Sequence, residues 1–415
     1  MGQEKDMTDK LRFGYFVPEF PCFSQIFFWR ELKVLGQEGV DARIFSTRPP
    51  SHNNAGNSAW VKEVAPRVSY LMPLSPKDVL EGVVEAIRTP FWRWFMAFKI
   101  ILTAKDVDFR QRVELIPALI LGLKFKRLAR QQKLQHLHSH FVYNGANLVM
   151  FASILAGIPY SISWHGPFWG HGNQRNKWRL AKFGIAITED GKTQIAKTIG
   201  EEYLPKKFMI APMGVDPSEF QRKTDYKPYQ GEGAFKLFSC GRLCGHKGHD
   251  YVVDAVHALV QRGYEVQLRI AGSEVGGDSY TKALQTKVEN LGLANSVTLL
   301  GAIDGAQVKK ELEDAHAFVL ASFEEPFGVV YAEAMAMELP TIGTDAGGVP
   351  EIITHLEDGM MVPPQSLNPL VEMLDRIGSQ PELAVRMGAK GRVKVINNFS
   401  VTRSANCLIR GIQES

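Results

Sequence analysis

The segment EEPFGVVYAEAMAMELP, residues 324–340, sets Glu325 and Glu333 eight positions apart among apolar and small side chains. A carboxylate stripped of water is costly unless something polar binds it, so both glutamates face either solvent or a polar ligand. The preceding HAFVLAS reads as a strand and VVYAEAMA as a helix, with Gly328 where the helix begins. A helix start offers free N–H groups and the positive end of the helix dipole, so a phosphate there would meet the amides of Gly328, Val329 and Val330. Carboxylates accept paired hydrogen bonds from diols, which suits the two glutamates to sugar and ribose hydroxyls. A solvated helix face is the contrary reading, and Ala332, Ala334, Met335 and Ala336 around Glu333 speak against it.

A second cluster, FKLFSCGRLCGHKGHD at residues 235–250, is a strand running into a glycine-rich loop with Arg242 and Lys247 five positions apart. Two cations on a loop whose glycines let the backbone approach a ligand would neutralise a diphosphate. Taken alone they would be ordinary surface cations.

Positioning these loops requires parallel sheets. The N-terminal half alternates strands and helical patterns: LRFGYFV then SQIFFWRELKVLGQEG, DARIFS, HLHSHF then NGANLVMFASILAG, PYSISWHG, FGIAIT then EDGKTQIAKTIG, and KFMIAP. A polar stretch at residues 214–236 reads as a linker, after which the alternation restarts with FKLFSCG, VQLRIAG, SVTLLG, HAFVLAS and PTIGTD. Two doubly wound α/β domains are expected, with ligands at the carboxyl ends of the strands and a cleft between the domains. A chain of 415 residues is long enough for two or three domains.

A formal charge of +4 on this length does not announce a nucleic-acid binder, although it permits anionic partners. Cys22, Cys240, Cys244 and Cys407 show no zinc or disulfide spacing, and the polar N-terminus does not read as a secretion signal; a cytoplasmic location is expected. PFWRWFMAFKIILTA, residues 90–104, contains Arg93 and Lys99 and is shorter than a membrane span needs. With LIPALILGLKFKRLAR, residues 115–130, it suits a membrane interface. The simpler expectation packs both as core helices with snorkelling cations.

The motifs together carry a resemblance. G-R-L-x-x-x-K-G from Gly241 to Gly248, the glutamate pair with F-G and E-A-M-A from Glu325 to Ala336, and TDAGGVPEI at residues 344–352 resemble retaining family 4 glycosyltransferases of GT-B fold. HSHF (138–141), WHG (164–166) and MGVD (213–216) agree, and FPCFSQIFFWREL (20–32) is similar to exopolysaccharide-assembling members of colanic-acid type. The resemblance implies an acceptor-binding Rossmann-like domain over residues 1–215, a nucleotide-sugar domain over 216–395, and a final helix, 396–415, crossing back. It implies that Gly241, Arg242 and Lys247 hold the donor diphosphate and that Glu333 holds the ribose. Glu325 would touch the donor sugar, with Phe327, Gly328, Val329 and Val330 lining sugar and phosphates. Ile303 would meet the base through its backbone, and His165 would stand beside the donor sugar. The loop PEFPCFSQ lacks the glycine pair common in the family and has Gln25 where Glu is frequent. Glu338 stands where glycine is common, and glutamate takes a left-handed helix cap less readily.

The resemblance implies a metal-independent hexosyltransferase that needs no cofactor beyond its UDP-sugar substrate, with glucose as the first candidate. The acceptor would be an oligosaccharide, lipid-linked, at the inner face of an anionic membrane. Asp106 and Asp108 form the D-x-D pair that metal-dependent transferases use, but their place between two helices predicts a structural role, with Asp108 as N-cap. The rivals are a nucleotide-sugar epimerase, which would need no acceptor, and a non-catalytic partner subunit, which would have lost the cations or glutamates.

Overall fold

Parallel strands are buried on both faces, with helices covering each side. The computed structural model describes residues 10–22, 25–50, 58–167, 171–274 and 276–415. The chain divides into two units, Met1–Pro212 with Val401–Ser415, and Met213–Ser400. Among the described residues the first holds seven strands: β1 Arg12–Phe16, β2 Asp41–Ser46, β3 Ser69–Tyr70, β4 His136–His140, β5 Tyr160–Trp164, β6 Phe183–Ala186 and β7 Lys207–Ile210. Their order in space is β3-β2-β1-β4-β5-β6-β7, parallel throughout. The second unit holds β8 Phe235–Cys240, β9 Val266–Ala271, β10 Val297–Gly301, β11 Ala317–Val319, β12 Thr341–Thr344 and β13 Met360–Val362. These lie in the order β10-β9-β8-β11-β12-β13, again parallel. Strand order therefore reverses between β1 and β4 in one sheet and between β8 and β11 in the other. At such a point the loops diverge to opposite faces and leave a crevice at the strands' carboxyl ends.

Most strands are apolar, as parallel burial requires, but β4 reads HLHSH and is buried throughout. Its register sets His138 opposite Ser161 and His140 opposite Ser163 of β5. Ser161 Oγ lies 2.7 Å from both His136 Nε2 and His138 Nδ1, and Ser163 Oγ lies 2.9 Å from His138 Nε2. A polar strand is tolerated inside the sheet because its neighbour supplies hydroxyls in register.

Three expectations need correction. The stretch 214–236 is irregular but is not a free linker: Phe220 and Tyr229 are buried, Tyr226 Oη donates to the His316 carbonyl at 2.7 Å, and Arg222 bonds the carbonyls of Leu312, Glu313 and Met337. Its aromatic and arginine side chains find partners that its irregular pattern conceals. The segments 90–104 and 115–130 do form helices, Phe91–Thr103 and part of Phe109–Gln131; the second packs inward through Leu115, Leu119, Leu121, Phe125 and Ala129, as expected, but the first is not a core helix. Phe91, Trp92, Phe95 and Phe98 are exposed, and the first helix buries only Ala97, Ile100 and Ile101. The units divide at 212/213 and 400/401, so the returning helix is Val401–Gln413, and it packs on the helix Ile26–Gln37 of the first unit.

Glu338 does take the left-handed conformation, with φ at +56°. It ends the helix Val329–Ala336, where Leu339 N donates to Ala334 O at 3.1 Å and closes the turn. A non-glycine residue there costs about 1 kcal/mol, against which an ion pair to Arg392 at 3.6 Å returns little. Glu338→Gly is expected to raise the thermal midpoint by a few degrees in a melting experiment.

Burial holds His136 down at about 3 and His138 and His140 well below the ordinary 6.5. The unfolded chain therefore binds protons below pH 6.5 that the folded chain refuses, so stability is full above that value and falls as the pH falls. Each ring steepens the loss by up to about 1.4 kcal/mol per pH unit. Thermal melts are expected to show a midpoint falling steadily below pH 6.5, with a shallower slope in His136→Asn.

Candidate functional site

All the expected residues except Ile303 and His165 lie on two loops and one helix of the second unit, after β8 and after β11. These strands pair directly, Ala317 opposite Leu237 and Phe318 opposite Phe238, so their loops leave the sheet side by side. Phe323 N donates to His246 O at 2.7 Å across the two loops. Gly248 has φ at +66°, and a Cβ there would sit 2.0 Å from Ala321 O, so the close approach requires glycine.

That approach carries Lys247 Nζ to 2.5 Å from Glu325 Oε2, with Ser322 Oγ 3.4 Å from the same oxygen. Lys247, Glu325 and Glu333 are 9, 7 and 8% exposed. The TDAGG segment braces the pair from behind. Gly348 N donates to the Glu325 carbonyl at 2.8 Å, and Thr344 Oγ1 bonds the Ser322 carbonyl.

The helix Val329–Ala336 starts at Gly328, whose φ is +100° and where a Cβ would meet the Tyr331 ring at 2.4 Å. Tyr331 Oη donates to Leu320 O at 2.9 Å and fixes the helix to the end of β11. Glu333 lies near Cys240 at the end of β8. Burial pushes that thiol up to about 12, the Glu333 charge adds to the rise, and Lys247 opposes it. Both glutamates, Lys247 and the helix start thus gather over the ends of β8 and β11. Phe327 buries its ring against Phe399, centroids 5.8 Å apart. Arg242 is exposed on the β8 loop, and Ile303 is half-buried after β10, two strands away on the same edge.

The sequence reading overlooked His249, Ser322 and Thr344. His249 opens the helix after Gly248 and lies 3.3 Å from Ser239 Oγ, and burial lowers it to about 4. It anchors the loop that bears the two cations.

In the first unit His165 follows β5, with Nε2 3.0 Å from His140 Nδ1 and the rings of Phe28 and Phe141 about it. His140 Nε2 lies 3.6 Å from Glu31 Oε2, which accepts from Tyr15 Oη at 2.7 Å, while Oε1 accepts from Ser404 Oγ at 2.6 Å. Burial lowers His165 to about 3 and raises Glu31. His165 is the outer end of a buried polar chain whose inner members, His140 and Glu31, lie in the stretches HSHF and FPCFSQIFFWREL but had no role assigned. Gln25 closes its own loop by accepting from Cys22 N at 3.2 Å; residues 23 and 24 of PEFPCFSQ lie outside the described residues.

Asp108 caps the helix Phe109–Gln131, accepting from Gln111 N at 2.7 Å, and Asp106 accepts from Arg175 N at 3.1 Å. Among the described residues no group of three His, Cys, Asp or Glu is arranged to hold a metal.

Residues 221–394, within the second unit, match the family model of glycosyl transferases group 1. Over these residues the second domain is similar to group 1 glycosyltransferases. An uncharacterized glycosyltransferase of Methanocaldococcus jannaschii is 31% identical over 41% of this chain and 45% of its own length. The amylovoran biosynthesis glycosyltransferase AmsK of Erwinia amylovora is 27% identical over 47% of this chain and 48% of its own. The chain thus spans about half the length of these relatives. An Anabaena structure, HepE in complex with UDP, superposes with a TM-score of 0.72 at 16% identity, covering 98% of this chain and 100% of that one. The fold is GT-B, built from two Rossmann-like domains.

Removing one partner of a buried ion pair strands the other charge and costs about 3–5 kcal/mol, whereas replacing both with apolar groups is near neutral. Lys247→Met is therefore expected to lower the thermal midpoint of the second domain clearly. Lys247→Met combined with Glu325→Leu recovers most of the loss.

Proposed function

We propose that the protein is a retaining glycosyltransferase that moves a hexose, glucose as first candidate, from a UDP-sugar to an exopolysaccharide oligosaccharide. The observation that carries the reading is the gathering of Lys247, Glu325, Glu333 and a helix N-terminus at the reversal point of a group 1 glycosyltransferase sheet, with Arg242 on the adjoining loop. The names of relatives support the finer terms: one acts in amylovoran biosynthesis, and a structure of the same fold holds UDP. The acceptor is proposed to be lipid-linked and the work to occur at an anionic membrane face.

In this proposal the acceptor oxygen forms a bond to the anomeric carbon as the bond from that carbon to the diphosphate oxygen breaks. The acceptor's proton passes to the departing diphosphate. Negative charge grows on the diphosphate, and Arg242, Lys247 and the amides of Gly328, Val329 and Val330 are fixed to receive it before reaction begins. Lys247 Nζ has three donors, so one can stay on Glu325 while others turn to phosphate. Glu325 is assigned to the sugar hydroxyls, Glu333 to the ribose, Gly241 and Phe327 to backbone contacts with the phosphates and sugar, and Ile303 to the base. His165 is assigned to the donor sugar, as a neutral imidazole held by His140 and Glu31. Retention rests on the motif resemblance.

Arg242→Ala is the cleanest activity test, because Arg242 is exposed and its removal spares the core. Transfer measured by mass spectrometry with a panel of nucleoside diphosphate sugars is expected to fall at least about a hundredfold in kcat/KM, and to persist in excess chelator. Unchanged turnover in Arg242→Ala, or loss in chelator restored by a divalent metal, contradicts the assignment.

A further inference from the structure

Of 21 exposed large hydrophobic side chains among the described residues, 17 lie between Met72 and Ile120. They belong mainly to three consecutive helices of the first unit, Pro76–Ile87, Phe91–Thr103 and Phe109–Gln131. Each presents a stripe at helical spacing toward solvent. Leu80, Val83 and Ile87 form the first; Phe91, Phe95, Phe98 and Leu102 the second; Phe109, Val113, Ile116 and Ile120 the third. Ile87, Phe91 and Phe109 are 80, 84 and 83% exposed. An amphipathic helix normally turns such a stripe inward, and an apolar area of this extent on a water-facing surface marks an interaction site.

The helices are locked to one another by polar contacts, so the stripes are not the result of loose packing. Trp94 Nε1 donates to Ala86 O at 3.1 Å, and Arg112 binds the end of the second helix through Leu102 O at 2.8 Å and Ala104 O at 2.7 Å. Lys124 and Arg127 bond Asp78 at 3.0 and 2.7 Å, and Arg130 bonds Glu85 at 2.6 Å.

Charge selects the occupant. Residues 76–131 contain eleven Lys and Arg against six Asp and Glu, a surplus of five where the whole chain has a surplus of four. The carboxylates are engaged within the protein: Asp78, Glu81 and Glu85 by cations, Asp108 as a helix cap, Asp106 by a backbone amide and Glu114 by Asn144. Lys77, Arg88, Lys99, Lys105 and Arg110 are exposed. A second copy of the chain docked by this face would set like charges together about a two-fold axis. An anionic bilayer accepts both features, with aromatic and aliphatic side chains entering the headgroup boundary and cations meeting lipid phosphate.

We propose that these three helices form a docking surface for an anionic lipid bilayer, on which the protein lies without crossing; no helix of the described residues is long and apolar enough to span. The inference stands on the surface and does not depend on the transferase reading, which it deepens by placing the protein where a lipid-linked acceptor would be.

The test is flotation of the full chain with phosphatidylcholine vesicles with and without phosphatidylglycerol, at low and high salt. It is compared with the variant Phe91→Ser/Phe95→Ser/Leu102→Ser, whose changed residues are exposed and contribute little to the core. Flotation is expected with the anionic vesicles, weakened by salt, and reduced about tenfold or more in the variant. No flotation, or equal flotation of the variant, overturns the proposal. So does a chain dimer in sedimentation that the variant abolishes, because the face then serves self-association. The thermal shift produced by nucleoside diphosphate sugars is measured on the same samples. A variant that keeps that shift but no longer floats supports the surface, whereas a wild type that floats with no donor shift removes the transferase reading alone.

Discussion

Two opposite charges cannot be buried separately at tolerable cost, and in the second domain Lys247 and Glu325 are buried together, 2.5 Å apart. The lysine comes from the loop after β8 and the glutamate from the loop after β11, so the pair is possible only because strand order places β8 beside β11. The glycine at 248, the Thr344 and Gly348 braces and the Tyr331 anchor all serve the same approach. Each charge satisfies the other, which holds the two loops together.

The first domain answers the same constraint with neutral groups. Its β4 histidines lose their protons to burial and hydrogen-bond to serines of β5, while the chain from Glu31 through His140 ends on His165. The second domain thus fixes a buried ion pair, and the first a buried cluster of histidines and serines.

Much of this was legible in the sequence. Most strands of both sheets follow from the sequence pattern, and DARIFS matches β2 residue for residue, whereas the short edge strands β3 and β13 carry too few residues to show a pattern. The glutamates, the cations and the helix start were readable because chemistry demands those residue types at loop–helix junctions. What escaped was of two kinds. The pairing of Lys247 with Glu325 depends on which strands are neighbours, and local pattern does not carry that information. The helix Phe91–Thr103 misled because a helical apolar stripe looks the same whether it faces a core or faces outward; only the tertiary structure shows which side is covered. The interval 214–236 misled for the converse reason, since Tyr226, Tyr229 and Arg222 are packed without forming regular structure. Glu338 shows the limit of residue preference: the turn needs a left-handed residue, and glutamate is held there by the bonds on either side.

Ser404, on the helix Val401–Gln413, donates to Glu31, and Val401, Ala405, Leu408 and Ile412 join the core built by β1 and the helix Ile26–Gln37. The first domain is thus sealed by residues made after the whole of the second. On the ribosome its sheet can assemble early, but the carboxylate of Glu31 and the apolar surface about it stay open until residues 401–413 emerge. Order of synthesis and order of completion are therefore reversed in this chain: the domain begun first is the one finished last.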